Sequence, residues 1–369
     1  MVEIKEKLII KSPSNTKMSV YPKTLKKTVT DIYNKAVSTG SVIKFESSSK
    51  FLKTSNSGEA NLKYHLTFCD IDGQKPQKPE REDVVKEKFN PFLKQEPELT
   101  VLDNIMDNEY KLVLNKYPIV DEHLLLVTQK EIPQSSLLTP NDLNAAYKLL
   151  KTLQQEFDED EEDDESDDED VKKSRYAVFY NCGPNSGFSI DHKHLQCIKL
   201  PNKLKTYQDF LVQEYPEPYI PNAKREPLEY EKVAYANFNI PLPKDLSKDD
   251  EYLVMCYVSL LQRSLSFFQQ WDVEDPKERL PTSYSFIMTT DWMTIIPRSK
   301  SVAEVEFEEK KYTLGTNALG YLHMLLFKEE QKELYEGMLA KKDSTPVEDF
   351  LLNCGFPNNF SAAPAESDY

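Results

Sequence analysis

Residues 175–200, RYAVFYNCGPNSGFSIDHKHLQCIKL, decide how the rest of this chain is read. RYAVFYN (175–181) is a short aromatic and β-branched run and predicts a strand. NCGPNSGFSID (181–191) carries turn residues throughout and predicts a loop. HKHLQCIKL (192–200) predicts a second strand. Alternate side chains of a strand share a face, so His192, His194 and Gln196 are expected to project together, with Lys193, Leu195 and Cys197 on the other side. Three adjacent polar side chains are costly to bury without partners, so such a row faces a ligand or water. Gly183, Gly187, Asn185 and Ser186 in the loop let backbone N–H groups approach an anion closely. A phosphate beside a histidine pair is a coherent reading of this stretch.

Three interpretations fit the spacing. The row is a solvated strand edge; or His-x-His holds a metal, with Cys182 or Asp191 as the nearby third ligand; or one histidine is a nucleophile toward phosphorus. The chain has only five histidines, and no CxxC, HExxH or second histidine pair supports the metal.

Outward from this stretch, helices are expected over 22–38, from Thr139–Pro140 through Leu153, over 250–270 and over 345–353, from apolar residues at helical spacing and capping residues. Strands are expected at 61–69, 110–115, 123–128, 283–289 and 292–297. The links between neighbouring strands are of hairpin length. Residues 201–247, rich in Pro, Tyr and Lys, read as irregular. The pattern predicts an α+β fold with a mainly antiparallel sheet flanked by helices. There is no GxGxxG or Walker loop, so doubly wound nucleotide folds lose support. One catalytic domain over 1–357 is expected, followed by a flexible tail at 358–369.

The formal charge of −16 is concentrated: DEDEEDDESDDED (158–170) holds twelve acids, and the rest of the chain carries only −4. That run reads as a disordered insertion that ends the helix before it. The acidity argues against nucleic acid as a partner. Five cysteines, an odd number without a CxxC pair, read as reduced thiols. No signal peptide and no run near the ~20 apolar residues of a membrane helix appears, so a soluble cytoplasmic protein, also compatible with the nucleus, is expected away from membranes; a monomer is expected as well.

The motif HKHLQ after a Gly/Ser-containing loop resembles the histidine-triad superfamily, in the transferase branch where glutamine replaces the third histidine. KLVLNKYPIVDEHLLLVT, MCYVSLLQRSLSFFQQW, SYSFIMTTDWMTIIPRSK and LLNCGFPN extend the match. Over roughly residues 60–357 outside the acidic run, the chain is similar to fungal diadenosine tetraphosphate phosphorylases, or ATP adenylyltransferases.

The resemblance implies a histidine-triad-like fold and a covalent adenylyl-histidine intermediate on His194. The implied small-molecule partners are diadenosine tetraphosphate, phosphate, ATP and ADP, with adenosine phosphosulfate as a related substrate. One ring nitrogen of His194 is expected to donate to a backbone carbonyl near His192, while His192 itself orients the site rather than reacting and Gln196 donates to a phosphate oxygen; both are counted among the nucleotide- and phosphate-binding residues. Lys75, Asn115, Lys116 and Lys300 are implied phosphate ligands, with Arg298 as an extra one. Asn181 and the loop residues Gly187, Phe188, Ser189 and Ile190 are expected around the α-phosphate and ribose. Thr289, Thr290 and Asp291 are expected at the distal phosphates or second nucleoside. No protein-held metal or covalent cofactor is implied, although Mg²⁺ can accompany the polyphosphate. The sequence departs from the family at Phe188, where a small polar residue, usually serine, is expected; Ser189 would then supply any hydroxyl. The same scaffold also hosts dinucleoside polyphosphate hydrolases, uridylyltransferases with the motif HPHGQ, and non-catalytic nucleotide binders.

Overall fold

The computed structural model describes residues 20–53, 62–69, 90–94, 96–160, 174–217, 219–221, 225–244, 246, 250–270, 280–307, 310–333, 335–336 and 346–358. Lys75, residues 161–170 of the acidic run and residues 359–369 of the expected tail lie outside them.

Around the deciding stretch, β6 (Tyr176–Cys182) and β7 (His194–Lys199) pair antiparallel, as the two predicted strands require. On one side β7 pairs with β5 (Leu124–Thr128), then β4 (Tyr110–Leu114), then β3 (Thr100–Ile105). On the other side β6 pairs with β9 (Tyr284–Met288), then β10 (Trp292–Pro297), then β8 (Phe238–Pro241). Every neighbouring pair in this eight-stranded sheet is antiparallel.

The sheet is covered on both faces. Leu195 and Cys197 of β7 point into a core shared with the helices α1 (Leu25–Ser38), α2 (Pro140–Asp160) and α4 (Asp250–Gln270). Ile198 and Phe179 point into a second core. That core is built with α3 (Tyr207–Glu214), α5 (Ala318–Tyr321), α6 (Pro346–Cys354) and a small sheet of β1 (Ser47–Lys53), β2 (Lys63–Cys69) and β13 (Met324–Lys328). A hairpin, β11 (Val302–Phe307) with β12 (Lys310–Gly315), completes the described elements.

Several expectations need correcting. The strand expected from 192 starts at His194: the Lys193 N–H is taken by a loop, donating to Ile132 O at 2.7 Å, while its carbonyl still accepts from Thr128 N–H of β5 at 3.2 Å. The stretch 201–247 is not wholly irregular. Thr206 and Asp209 have the residue pattern of a capping box at the start of α3, with Asp209 Oδ2 accepting from Thr206 N–H at 2.8 Å, and residues 238–241 add the edge strand β8. Helix α2 runs to Asp160, into the first residues of the acidic run.

The start of α2 anchors the site. Thr139 and Asp142 cap each other, at 2.7 and 3.2 Å. Asp142 also accepts from Tyr110 Oη at 2.8 Å and pairs with the ammonium of Lys193, both partners of that ion pair being buried. The residue next to His194 is thus tied to the opposite face of the sheet, and the alternation of β7 turns His194 toward the other.

Candidate active site

His194 is 5 % exposed and its Nδ1 lies 2.7 Å from the carbonyl oxygen of His192. A carbonyl can only accept, so Nδ1 carries the hydrogen, and among the described residues the Nε2 lone pair has no hydrogen-bond partner. Burial is the main influence on this ring and lowers its pKa from 6.5 to about 4; the carbonyl bond opposes that shift and His192 adds to it. At neutral pH the imidazole is therefore uncharged, as a nucleophile must be.

The backbone of His194 is fixed by Gln134. Where the ladder between β6 and β7 ends, the Gln134 side-chain amide takes its place. His194 N–H donates to Oε1 at 2.9 Å, while Nε2 donates to the carbonyls of His194 at 3.2 Å and Asn181 at 3.1 Å. Gln134 is itself held by Tyr180 Oη, which donates to its carbonyl at 2.6 Å, and by Asp191, which accepts from its N–H at 3.0 Å.

Gln196 is oriented by a chain of hydrogen bonds whose direction can be deduced. Tyr117 N–H donates to Asn115 Oδ1 at 3.0 Å, so the Asn115 amide nitrogen faces His123 Nδ1, at 3.3 Å. The Asn115 nitrogen can only donate, so His123 Nδ1 accepts and Nε2 carries the hydrogen. His123 Nε2 then donates to Gln196 Oε1 at 3.0 Å. That leaves the Gln196 NH₂ group for another partner. Burial lowers the pKa of His123 to about 4, against the Gln196 bond and reinforced by His194, which keeps the chain of donors intact near neutrality.

His192 does not join this row. It is fully buried: Nε2 donates to Thr128 O at 2.8 Å, Nδ1 accepts from Asn90 Nδ2 at 2.9 Å, and the Phe92 ring packs edge-on against it. The expected shared face fails because residues 192 and 193 lie before the paired strand. What His192 gives the site is the carbonyl that fixes the His194 tautomer.

Two cavities meet the loop between β6 and β7. The first, of about 320 Å³, is lined by His194, Gln196, Ser189, Ile190, Asn115 and Lys116, with Phe92, Leu99, Val113 and Leu125 as apolar wall. The second, of about 430 Å³, is lined by Gly187, Phe188, Ser301, Asn317, Met324 and Lys328 among others. Consecutive loop residues Phe188 and Ser189 thus line different cavities. Gly187 has φ +87°, and a Cβ there would stand 2.5 Å from Thr316 O, so the loop passes too close to β12 for any side chain.

The structure therefore brings together His194, Gln196, Asn115, Lys116, Ser189 and Ile190, with Gly187 and Phe188 across the loop. The Lys116 ammonium meets Glu96 at 3.2 Å in a partly exposed pair, which holds it weakly. Asn181 is buried beside the loop; its Oδ1 accepts from Ala318 N–H at 2.9 Å, and among the described residues its Nδ2 has no hydrogen-bond partner.

Thr289, Thr290 and Asp291 are not brought to either cavity. They form the turn between β9 and β10, level with the far end of β6, where Val178 pairs with Met288. Thr289 Oγ1 accepts from the N–H groups of Asp291 and Trp292, and Thr290 donates to Gln154 on α2. Lys300 has an exposed side chain outside both linings. Arg298 is fully buried and its guanidinium is spent on protein acceptors, so it is not a direct phosphate ligand.

The metal alternative loses its third ligand. Cys182 packs in the helix-side core and Asp191 accepts from Gln134 N–H. Among the described residues no three His, Cys, Asp or Glu side chains cluster as metal ligands would.

Sequence reasoning missed Asn90, Phe92, Gln134, and the group Asn317, Met324 and Lys328. An N-P-F turn at 90–92 was a usable signal for a wall segment, because Asn90 Oδ1 accepts from Phe92 N–H at 3.1 Å.

Comparison with known proteins is consistent with this geometry. Residues 15–212 match the family described as Ap4A phosphorylase N-terminal domain, and residues 231–357 match the ATP adenylyltransferase C-terminal domain. The chain is 39% identical over 313 residues to diadenosine 5',5'''-P1,P4-tetraphosphate phosphorylase 2 of Saccharomyces cerevisiae, covering 84% of this chain and 89% of that one. It is 36% identical to Protein APA1 of the same yeast, over 92% of this chain and 97% of that one. The crystal structure of yeast Ap4A phosphorylase Apa2 superposes with a TM-score of 0.75 at 35% identity, covering 94% of this chain and 98% of that one. Its complex with Ap4A superposes with a TM-score of 0.72 at 36% identity, covering 90% and 97%.

Proposed function

The chain belongs to the Ap4A phosphorylase family, and from that premise we propose that it cleaves diadenosine tetraphosphate (Ap4A) with inorganic phosphate, giving ATP and ADP through an adenylyl group carried on His194. The observation that carries this reading is the 2.7 Å bond from His194 Nδ1–H to the His192 carbonyl, which leaves Nε2 as a free lone pair at the wall of a cavity.

The steps follow from that ring. Nε2 attacks the α-phosphorus, a P–N bond forms, and the bond from phosphorus to the bridging oxygen breaks, so that ATP departs. The ring gains positive charge, and the Nδ1–H bond to the His192 carbonyl strengthens as it does. A phosphate oxygen then attacks the same phosphorus, the P–N bond breaks, and ADP departs with the imidazole neutral again. The Gln196 NH₂ group, held by His123, donates to a non-bridging oxygen while charge builds there. An amide cannot accept a proton from attacking water, which favours waiting for phosphate over hydrolysis. The same intermediate formed from adenosine phosphosulfate would release sulfate.

The apolar wall of the first cavity, with Phe92, Leu99, Val113 and Leu125, suits the adenosine attached to the reacting phosphate. The phosphate chain would then cross the Gly187–Ser189 stretch and place the leaving nucleotide in the second cavity, beside Phe188, Asn317 and Lys328. Mg²⁺, where present, enters bound to the polyphosphate and neutralises its distal charge.

Incubation of the purified protein with Ap4A, with and without phosphate, followed by nucleotide separation, tests this. ATP plus ADP appearing only with phosphate is the expected outcome. ATP plus AMP formed without phosphate would replace phosphorolysis with hydrolysis.

A further inference from the structure

Arg298 is 0 % exposed, and among the described residues it has no carboxylate partner. Its donors go to neutral acceptors. Nη1 reaches Ser186 O at 3.2 Å and Ser285 Oγ at 3.1 Å, Nη2 reaches Lys300 O at 3.1 Å and Thr316 O at 2.9 Å, and Nε reaches Cys354 O at 3.2 Å. The Tyr321 ring lies 5.1 Å from the guanidinium carbon. A buried cation balanced only by dipoles is expensive, so a countercharge that arrives with a ligand would be worth more here than at a surface.

Three of the four carbonyls that Arg298 binds share a consequence. In a trans peptide the C=O and the following N–H point in opposite directions, and no peptide among the described residues is cis. With the carbonyls of Ser186, Lys300 and Thr316 turned to the guanidinium, the N–H groups of Gly187, Ser301 and Asn317 point away from it. All three of those residues line the second cavity. None of the three N–H groups donates to a protein acceptor among the described residues. Beside them, Ser285 bridges Arg298 to Asn181, whose buried Nδ2 is likewise unpartnered.

We propose that these peptide groups form a seat for a phosphoryl group in the second cavity, and that Arg298 is the positioning residue behind it. The cation aligns three peptide dipoles with their positive ends outward, so an oxyanion meets fixed N–H donors and a field of the right sign. The proposal rests on the reading above only for the identity of the anion, which is either free inorganic phosphate or the distal phosphates of the substrate.

The wild-type protein tests this directly. Labelled with ¹⁵N, it is titrated separately with inorganic phosphate and with tripolyphosphate, following the amide signals of Gly187, Ser301 and Asn317. A saturable, concerted shift of all three with either anion supports the seat. A shift with phosphate alone assigns it to the acceptor, and a response requiring tripolyphosphate assigns it to the substrate's distal chain. Silence of the three amides with both anions overturns it, whatever becomes of the adenylyl-histidine. Kinetics on Arg298→Lys and Arg298→Gln add a second reading. In folded protein, KM for phosphate or for Ap4A should rise about tenfold in Arg298→Gln, with a smaller rise in Arg298→Lys and the rate of adenylylation at saturation less affected. Unchanged KM values for both substrates in both variants would contradict the role of the cation.

Discussion

Replacing His123 with leucine should slow adenylylation about tenfold without removing the nucleophile. His123 Nε2 holds Gln196 Oε1 at 3.0 Å, and His123 Nδ1 faces the Asn115 amide at 3.3 Å. Leucine at 123 leaves the Gln196 amide free to turn over and present its oxygen where an NH₂ group is wanted. A net hydrogen bond is worth about 1 kcal/mol, and charge building on the phosphate raises the stake toward about 1.4 kcal/mol, which is a factor of ten. Removing the amide altogether sets the ceiling. Loss of one preorganised donor to a developing oxyanion costs roughly 10²- to 10³-fold, so Gln196→Leu should lose about 100-fold. If His123 acts only through Gln196, the double variant should also lose about 100-fold rather than 1000-fold. The assay is the single-turnover burst of adenylyl-enzyme from Ap4A without phosphate, at saturating substrate, for wild type and all three variants. Additive losses, or a burst rate in His123→Leu equal to wild type, would refute the reasoning.

Gln196→His should raise the fraction of Ap4A turned over to AMP in the absence of phosphate, because a third imidazole can accept a proton from attacking water; unchanged partitioning would defeat that role for the amide. Asp142→Asn should destabilise the fold by about 3–5 kcal/mol in urea unfolding, since it leaves the Lys193 ammonium buried without its carboxylate, and a loss below about 1 kcal/mol would count against that pair as the anchor of β7. The fold should also weaken in mild acid. His123, His194 and His323 are each pulled by burial from 6.5 to about 4, so the unfolded chain binds protons before the folded one. Stability is then complete above about pH 6.5 and is lost as pH falls toward 4. Across pH 6.5 to 5.5, above the usual carboxylate range, each ring costs about 1 kcal/mol and the three about 3 kcal/mol together. Denaturant unfolding at those two pH values with equal midpoints would contradict it.

Much of the fold was legible because its sheet is buried on both faces. Strands such as Tyr176–Cys182, Leu124–Thr128 and Tyr284–Met288 are buried at every position and read as short apolar runs between turns. What escaped were elements whose stability is tertiary. Strand β1, SSSKFLK, is mostly exposed and exists through its pairing with β2. Helix α3 has only eight residues, and its capping box, Thr206 with Asp209, was the one local sign of it.

The site divides in the same way. His194 and Gln196 follow from alternation within one strand. His192 does not, because whether a residue at a strand's edge joins the ladder depends on the loop that competes for its neighbour's backbone. Gln134 lies sixty residues from His194 in sequence and meets it through side-chain bonds to main-chain atoms, which leave no periodic mark. Thr289–Asp291 shared a polar, loop-like character with phosphate ligands, yet the antiparallel register of β6 and β9 carries that turn to the other end of the sheet. The second cavity instead draws on Asn317, Met324 and Lys328, contributed by α5's cap and a strand of the smaller sheet. Arg298 shows the limit most clearly: sequence can mark it as a cation near a phosphate site, but only packing shows that it faces backbone carbonyls.

The claim on which the mechanism depends is a covalent bond from His194 to the α-phosphorus. Mixing the protein with Ap4A in the absence of phosphate, quenching in base, digesting and sequencing the peptides by mass spectrometry tests it most directly. The account predicts one AMP per chain on His194, discharged as ADP when phosphate is added before the quench. AMP found on another side chain, or Ap4A consumed at full rate with no adduct and by His194→Ala as well, would contradict it.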